Sequence, residues 1–163
     1  MRIGVLSDTH ADEAHTQAAI KTLQEHHVER ILHCGDVGGN EVVSQFAQWP
    51  TYFVAGNCDY PDQLGETVKS NQQHWEGLFG DLSLGGKRIA LLHSHQQHRF
   101  DAAIHSGDYD LVCYGHTHVA EQHTVGKTHV LNPGAMHRAH KFTVAIVDLK
   151  TMEISHITVS CDS

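Results

Sequence analysis

Five short polar clusters carry nearly all the chemistry this sequence can offer. They are Asp8-Thr9-His10, Gly35-Asp36, Gly56-Asn57-Cys58-Asp59, His93-Ser94-His95 and Gly115-His116-Thr117-His118. Carboxylate, imidazole and amide oxygen are the donors that hold divalent ions such as manganese, iron, nickel and zinc. Two such ions sharing one carboxylate, about 3.5–4 Å apart, activate a water and clamp a phosphoryl group together. Gly35, Gly56 and Gly115 stand where the backbone must turn sharply beside a bound group. Abundance tempers the pattern, because 17 of the 163 residues are histidine. Roughly 1.6 His-x-His pairs are then expected from composition alone, so the two that occur carry no weight by themselves. The weight lies in the ordered series, in which every cluster follows an apolar run.

Those runs must be the elements that position the clusters. Residues 2–6, 30–33, 51–54, 88–92 and 111–114 precede the five clusters, and residues 129–131, 143–148 and 153–159 are further runs of the same kind. Their length and β-branched content suit strands. Residues 12–27 place Ala14, Ala18, Leu23 and Val28 along one helical face, with Asp12 or Asp8 to cap the start. Residues 41–48 read as a second helix ended by Pro50, and residues 100–107 as a third ended by Gly107. Residues 60–80 show no clean period and receive no element. Strand–helix alternation in the early half predicts parallel pairing with right-handed crossovers. Gly85-Gly86, Gly126-Lys127 and Lys150-Thr151 predict hairpins, hence antiparallel strands, in the later half. The fold class expected is α/β: a four-layer αββα sandwich of two mixed β-sheets flanked by helices, built as one domain over residues 1–163. In such sheets ligands bind beyond the carboxyl ends of the strands, where the five clusters fall.

Composition narrows the function classes. Eleven Lys+Arg against 19 Asp+Glu give a formal charge of −8, which argues against a sequence-independent grip on long nucleic acid. A 40% hydrophobic and 18% charged chain is an ordinary globular composition. No apolar stretch is long enough to cross a bilayer, and Ile3–Leu6 is too short for a signal peptide. The four cysteines, Cys34, Cys58, Cys113 and Cys161, form no Cys-x-x-Cys pair, which removes zinc-ribbon and thioredoxin readings. Reduced thiols in a cytoplasm are the expectation.

With those residues in hand, the sequence resembles the calcineurin-like metallophosphoesterase superfamily, and within it the short YfcE-type phosphodiesterases. Ser7-Asp8-Thr9-His10, Cys34-Gly35-Asp36, Gly56-Asn57-Cys58-Asp59, Gly115-His116-Thr117-His118 and Asn132-Pro133-Gly134-Ala135 stand in the family's order and roughly its spacing, from Ile3 to about Ala135. The resemblance implies two divalent metal ions, manganese first, with iron, nickel or zinc as alternatives. It assigns Asp8, His10 and His118 to one ion and Asn57, His93 and His116 to the other, with Asp36 bridging. It further implies attack on phosphorus by a metal-bridging hydroxide, in line with the leaving oxygen, on a small phosphodiester. Asp36 is the lone carboxylate of its cluster, which suits a bridge.

Three departures matter. Many superfamily phosphatases carry a His where this chain has Cys58, placed to protonate the leaving group; a thiol is a poor substitute, which favours diesters with good leaving groups. Ser94 replaces a common Gly after the ligand His, beside His95, which faces the substrate and is assigned to phosphate binding or proton donation. Ala135 replaces a common Ser. Asn57 and Cys58 are placed on the substrate side, Asp59 is read as a turn and supporting residue, and His137 with most other histidines as surface or half-buried side chains. A phosphomonoesterase or a dinucleoside polyphosphate hydrolase is the alternative enzyme. A non-catalytic scaffold, which the eukaryotic retromer subunit of this fold resembles, is disfavoured because all seven candidate positions carry competent ligands. A small phosphorylated substrate and a homodimer or larger homo-oligomer are the expected partners, with no membrane.

Overall fold

The computed structural model describes residues 1–161. Strands β1 (Arg2–Leu6), β2 (Arg30–His33) and β3 (Thr51–Phe53) pair in parallel. They are joined by helix α1 (Glu13–Glu25) and by α2 (Asn40–Val43), which tightens into a 3-10 turn over Ser44–Phe46. Helix α3 (Pro61–Ser70) then leads to the two-residue strand β4 (His74–Trp75) at the sheet edge. A second sheet follows, built from β5 (Phe79–Leu84), β6 (Lys87–Leu92), β7 (Leu111–Cys113), β8 (Glu121–Val125) and β9 (Thr128–Asn132), with helix α4 (Gln97–His105) crossing from β6 to β7. Strands β10 (Thr143–Asp148) and β11 (Glu153–Thr158) return to the first sheet, β10 antiparallel to β1. The orders are β11-β10-β1-β2-β3-β4 and β5-β6-β7-β9-β8.

Three apolar clusters define the four layers. Leu6, Ile31 and Phe53 meet Leu23 of α1, Val42 of α2 and Val68 of α3 on one outer face. Ile3, Val5 and Leu32 meet Ile89, Leu91 and Leu111 between the sheets. Ala90, Val112 and Val130 meet Ala103 and Ile104 of α4 on the other outer face. Burial on both faces explains why the central strands read as continuous apolar runs. Fully burying a side chain such as Leu23 or Ile31 is worth roughly 2 kcal/mol. Gly4 lets α1 lie directly on β1, since a Cβ there would press on Leu23 and Ile31.

The expected αββα sandwich is therefore present, with local differences. The second helix ends at Val43 because a 3-10 turn carries the chain toward Pro50, and the third starts at Gln97 rather than at residue 100. Residues 60–80, left without an element, form α3, β4 and the start of β5. Pro61 opens α3 at the position where its missing N–H costs nothing. Asp12 caps α1, accepting from the His15 backbone N–H at 3.0 Å. The Gly85-Gly86 and Gly126-Lys127 hairpins close between paired residues Leu84 and Lys87, and Val125 and Thr128. Among the described residues no helix is long and apolar enough to cross a membrane.

Candidate metal centre

Parallel strands point their carboxyl ends the same way, so the loops after β1, β2, β3, β6 and β7 converge on one edge of the sandwich. The loops after β1 and β2 are laced together by backbone bonds, Asp8 N–H to Gly35 O at 3.0 Å, His10 N–H to Asp36 O at 3.0 Å and Ala11 N–H to Val37 O at 3.1 Å. Asp59 ties the β3 loop to them by accepting from the N–H groups of Val37, Gly38 and Gly56, which is the supporting role expected of it. Asp8, His10, Asp36, His116 and His118 all have φ between 43° and 78°. Left-handed backbone costs a non-glycine residue of order 1–3 kcal/mol and persists only where its surroundings over-determine it, a pattern that clusters at functional sites.

Each buried carboxylate gives one oxygen to the protein and aims the other at the centre. Asp8 Oδ2 accepts from the Ser7 hydroxyl at 2.6 Å and the His116 N–H at 3.1 Å, while its Oδ1 has no hydrogen-bond donor. Asp36 Oδ1 accepts from the Cys58 N–H at 2.8 Å, and its Oδ2 faces His93 Nε2 at 3.1 Å and His10 Nε2 at 3.4 Å. His118 Nε2 stands 3.2 Å from Asp8 Oδ1. His93 Nε2 also lies 3.0 Å from Asn57 Oδ1.

The other ring nitrogens decide what these contacts mean. His93 Nδ1 is 2.8 Å from the Cys34 carbonyl and His118 Nδ1 is 3.2 Å from the Arg138 carbonyl. A carbonyl only accepts, so each Nδ1 carries the hydrogen. In the neutral ring, Nε2 then presents a lone pair to carboxylate oxygens. Lone pairs of His93, His118, Asp8, Asp36 and Asn57 thus converge with no donor among them, and His10 Nε2 is buried without a hydrogen-bond partner. Such convergence fits cations, and backbone carbonyls orienting imidazoles from behind are the usual support of metal-binding histidines.

The donor atoms fall into three groups, each within 4.8 Å: Asp8, His10 and His118; Asp8, Asp36 and His93; and His10, Asp36 and Cys58. Asp8, His10 and Asp36 each belong to two of them. Of the expected ligands, His116 stands slightly apart, its ring 5.1 Å from that of His93 and T-shaped to it. His95 lies beside these two, its ring 5.6 Å from that of His93 and 6.4 Å from that of His116, with Nδ1 buried and unpartnered. Burial, followed by the charges of His93 and His116, lowers its pKa. For Asp36, burial acts upward but loses to the hydrogen bond and charge of His93, the Cys58 N–H and His10, so the carboxyl sits well below its usual range. The Cys58 thiol is raised by burial and by the Asp36 charge.

The Asn132-Pro133-Gly134 turn floors the site. Asn132 bonds to Gly115 O and Thr117 Oγ1, and the Met136 N–H beyond the turn reaches the carbonyls of Ser7 and Asp8. Two further histidines border the site. His137 is half-buried, within the surface or half-buried expectation, with its ring 5.0 Å from that of His10. His33, inside an apolar run, is wholly buried beneath the loops.

The family model of the calcineurin-like phosphoesterase superfamily domain matches residues 1–152. Phosphodiesterase MJ0936 of Methanocaldococcus jannaschii is 33% identical over 138 residues, covering 82% of this chain and 83% of that protein. Among solved structures, one of an archaeal phosphodiesterase superposes with a TM-score of 0.89 at 30% identity, covering 98% of this chain and all of that one. YfcE, a phosphoesterase from E. coli, shares the fold with a TM-score of 0.63 at 20% identity, covering 98% of this chain and all of that one.

Proposed function

The chain belongs to the calcineurin-like phosphoesterase superfamily, and on that premise we propose that it is a dinuclear-metal-dependent phosphodiesterase acting on a small phosphodiester. The observation that carries the metal reading is the convergence of lone pairs from His93, His118, Asp8, Asp36 and Asn57 with no donor between them. Asp8, His10 and His118 would hold one ion, Asn57, His93 and His116 the other, and Asp36 both. Manganese is the first choice on the family resemblance, and three oxygen donors with four imidazoles also suit iron, nickel and zinc. Divalent ions bound there would supply an activated water and neutralise charge on the phosphoryl oxygens.

The remaining work falls to side chains of this chain. His95, whose pKa is lowered first by burial and whose Nδ1 has no partner, would hydrogen-bond a phosphoryl or leaving-group oxygen. Asn57 turns its amide nitrogen toward the exposed Cys58 sulfur, at 3.6 Å, so both stand at the rim where an ester substituent would pass. Cys58, raised by burial and by Asp36, is a poor proton donor to a departing alkoxide. That weakness supports diesters whose leaving group departs unaided, and the relative named a phosphodiesterase supports the same reading. A net charge of −8 supports a small substrate over long nucleic acid.

The test is hydrolysis of bis-p-nitrophenyl phosphate and p-nitrophenyl phosphate by protein stripped of metal and reloaded with Mn, with Asp36→Asn alongside. Metal-dependent turnover of the diester, lost in Asp36→Asn, is the expected result. Preference for the monoester would make the protein a phosphomonoesterase. No turnover with Mn, Ni, Co or Zn would overturn the enzymatic reading.

A further inference from the structure

We propose that His33 is a positioning residue that locks the two loops bearing Asp8, His10 and Asp36 into metal-binding register, an inference that rests on the metal reading above. His33 ends β2 and is 0% exposed, stacked on Phe53 at 5.5 Å and edge-on to Phe46 at 6.2 Å. Its ring is bonded on both sides. The Gly35 N–H donates to Nδ1 at 3.2 Å, which makes Nδ1 the bare nitrogen and Nε2 the protonated one. Nε2–H then donates to Thr9 Oγ1 at 3.1 Å, and the Thr9 hydroxyl passes its own hydrogen to Val37 O at 2.7 Å. The relay has one consistent direction: Gly35 N–H, imidazole, hydroxyl, Val37 carbonyl.

Its ends are informative. Thr9 lies between Asp8 and His10, while Gly35 and Val37 flank Asp36. All three candidate ligands are left-handed, with φ of 56°, 43° and 53°, as is the neighbouring Ala11 at 61°. Backbone that unfavourable relaxes unless it is held from several directions. The backbone lacing holds it from the main chain, and the His33 relay holds it from beneath, inside the core, touching neither metal nor substrate. A neutral ring is required, because imidazolium would turn a second donor onto the Gly35 N–H. Burial, aided by the charge of His93, keeps it neutral, with a pKa of about 3.

Two measurements decide the matter. Imidazole 15N NMR of the wild-type protein should show His33 with Nε2 protonated and Nδ1 bare, unchanged over roughly pH 5 to 8; the opposite tautomer, or a ring that titrates there, overturns the relay. Mn binding should then be titrated by EPR in wild type, His33→Phe, His33→Gln, Thr9→Val and the Phe/Val double variant, each checked for native circular dichroism. His33→Phe keeps the stacked ring without its nitrogens and should weaken Mn binding by about 10–100-fold. Thr9→Val should lose as much and the double variant no more, because both cut one relay. His33→Gln retains a donor toward Thr9 and should stay within about threefold of wild type. Wild-type Mn affinity in folded His33→Phe or Thr9→Val, or a His33→Gln as weak as Phe, overturns the proposal. If His33→Phe does not fold, Thr9→Val decides. Failure here leaves wild-type Mn binding intact, whereas a wild-type protein that takes up no Mn sinks the metal reading itself.

Discussion

His93 Nε2 and Asp36 Oδ2 face each other at 3.1 Å, and the neutral imidazole has no hydrogen to place between them because its Nδ1–H is committed to Cys34 O. Two lone pairs at that distance must share something positive. Without a metal, a proton on His93 would serve, below its raised pKa. Burial acts to lower the His93 pKa, but the Asp36 hydrogen bond and the charges of Asp8 and Asp36 overcome it and leave it raised. A divalent ion held by His93 and Asp36 would displace that proton.

Metal binding at a pH below the raised His93 pKa should therefore expel a proton. Calorimetric titration with Mn in buffers of differing ionisation enthalpy will show it as a buffer-dependent apparent heat. His93→Gln, which carries no titrating group, should remove that dependence along with much of the affinity. Heats independent of buffer in the wild type would mean that His93 is already neutral and that the two lone pairs are tolerated.

Gly56 and Gly86 offer a matched pair. A Cβ on Gly56 would collide with the Asp36 carboxylate and its backbone N, whereas Gly86, in the β5–β6 hairpin at φ 75°, has open space around it. Gly56→Ala must push the shared carboxylate aside and should weaken metal binding by about 10–100-fold, the size of a lost ligand support. Gly86→Ala should cost about 1 kcal/mol of stability through its positive φ alone and leave metal affinity as it was. Equal metal affinity in the two variants would show that Asp36 is not held where the geometry places it.

Much of this was legible in the sequence, for a definite reason. Asp8, Asp36, Asn57, His93 and His116 each follow a strand buried on both faces, so a continuous apolar run announces the polar residue at its end. The register of β1 against β2, Ile3 to Arg30 through Leu6 to His33, follows from the same runs. Helix α3 escaped because Leu64, Gly65 and Val68 are its only buried residues, too few to set a period. Strand β8 escaped because its side chains lie mostly in solvent. His137 reaches His10 through the turn at Pro133-Gly134, a tertiary contact with no local signal. His33 was hidden by its own burial, since a histidine inside an apolar run reads as one more strand position.

On the proposed phosphodiesterase reading, Cys58 is the residue that would separate diester from monoester cleavage. Its backbone N–H is fixed on Asp36 and its thiol pKa is raised by burial and by that carboxylate, so it gives up a proton late. Cys58→His would place an imidazole at the same rim. General acid catalysis is typically worth 10²–10⁴-fold when well aligned. An alignment left to chance should still raise kcat on p-nitrophenyl phosphate or an alkyl monoester by about tenfold, with a smaller effect on the bis-p-nitrophenyl diester. A variant whose monoester-to-diester ratio does not rise would place the leaving group away from residue 58.

His33 also predicts how the metal-free protein responds to acid. Its folded pKa of about 3 lies below the ordinary 6.5, through burial first and the charge of His93 second. As pH falls below about 6.5 the unfolded chain binds a proton at His33 that the native state refuses, so stability is present above that value and is lost on the way down to about 3. One such group adds about 1.4 kcal/mol per pH unit to the acid slope. Urea unfolding of EDTA-treated protein at several pH values from about 6.5 to 4 should show His33→Gln with a shallower slope than wild type by close to one proton. The side chains around the site titrate in both proteins, so the difference isolates residue 33. Identical slopes would mean that the wild-type ring accepts a proton in the native state, which the Gly35 N–H aimed at Nδ1 forbids.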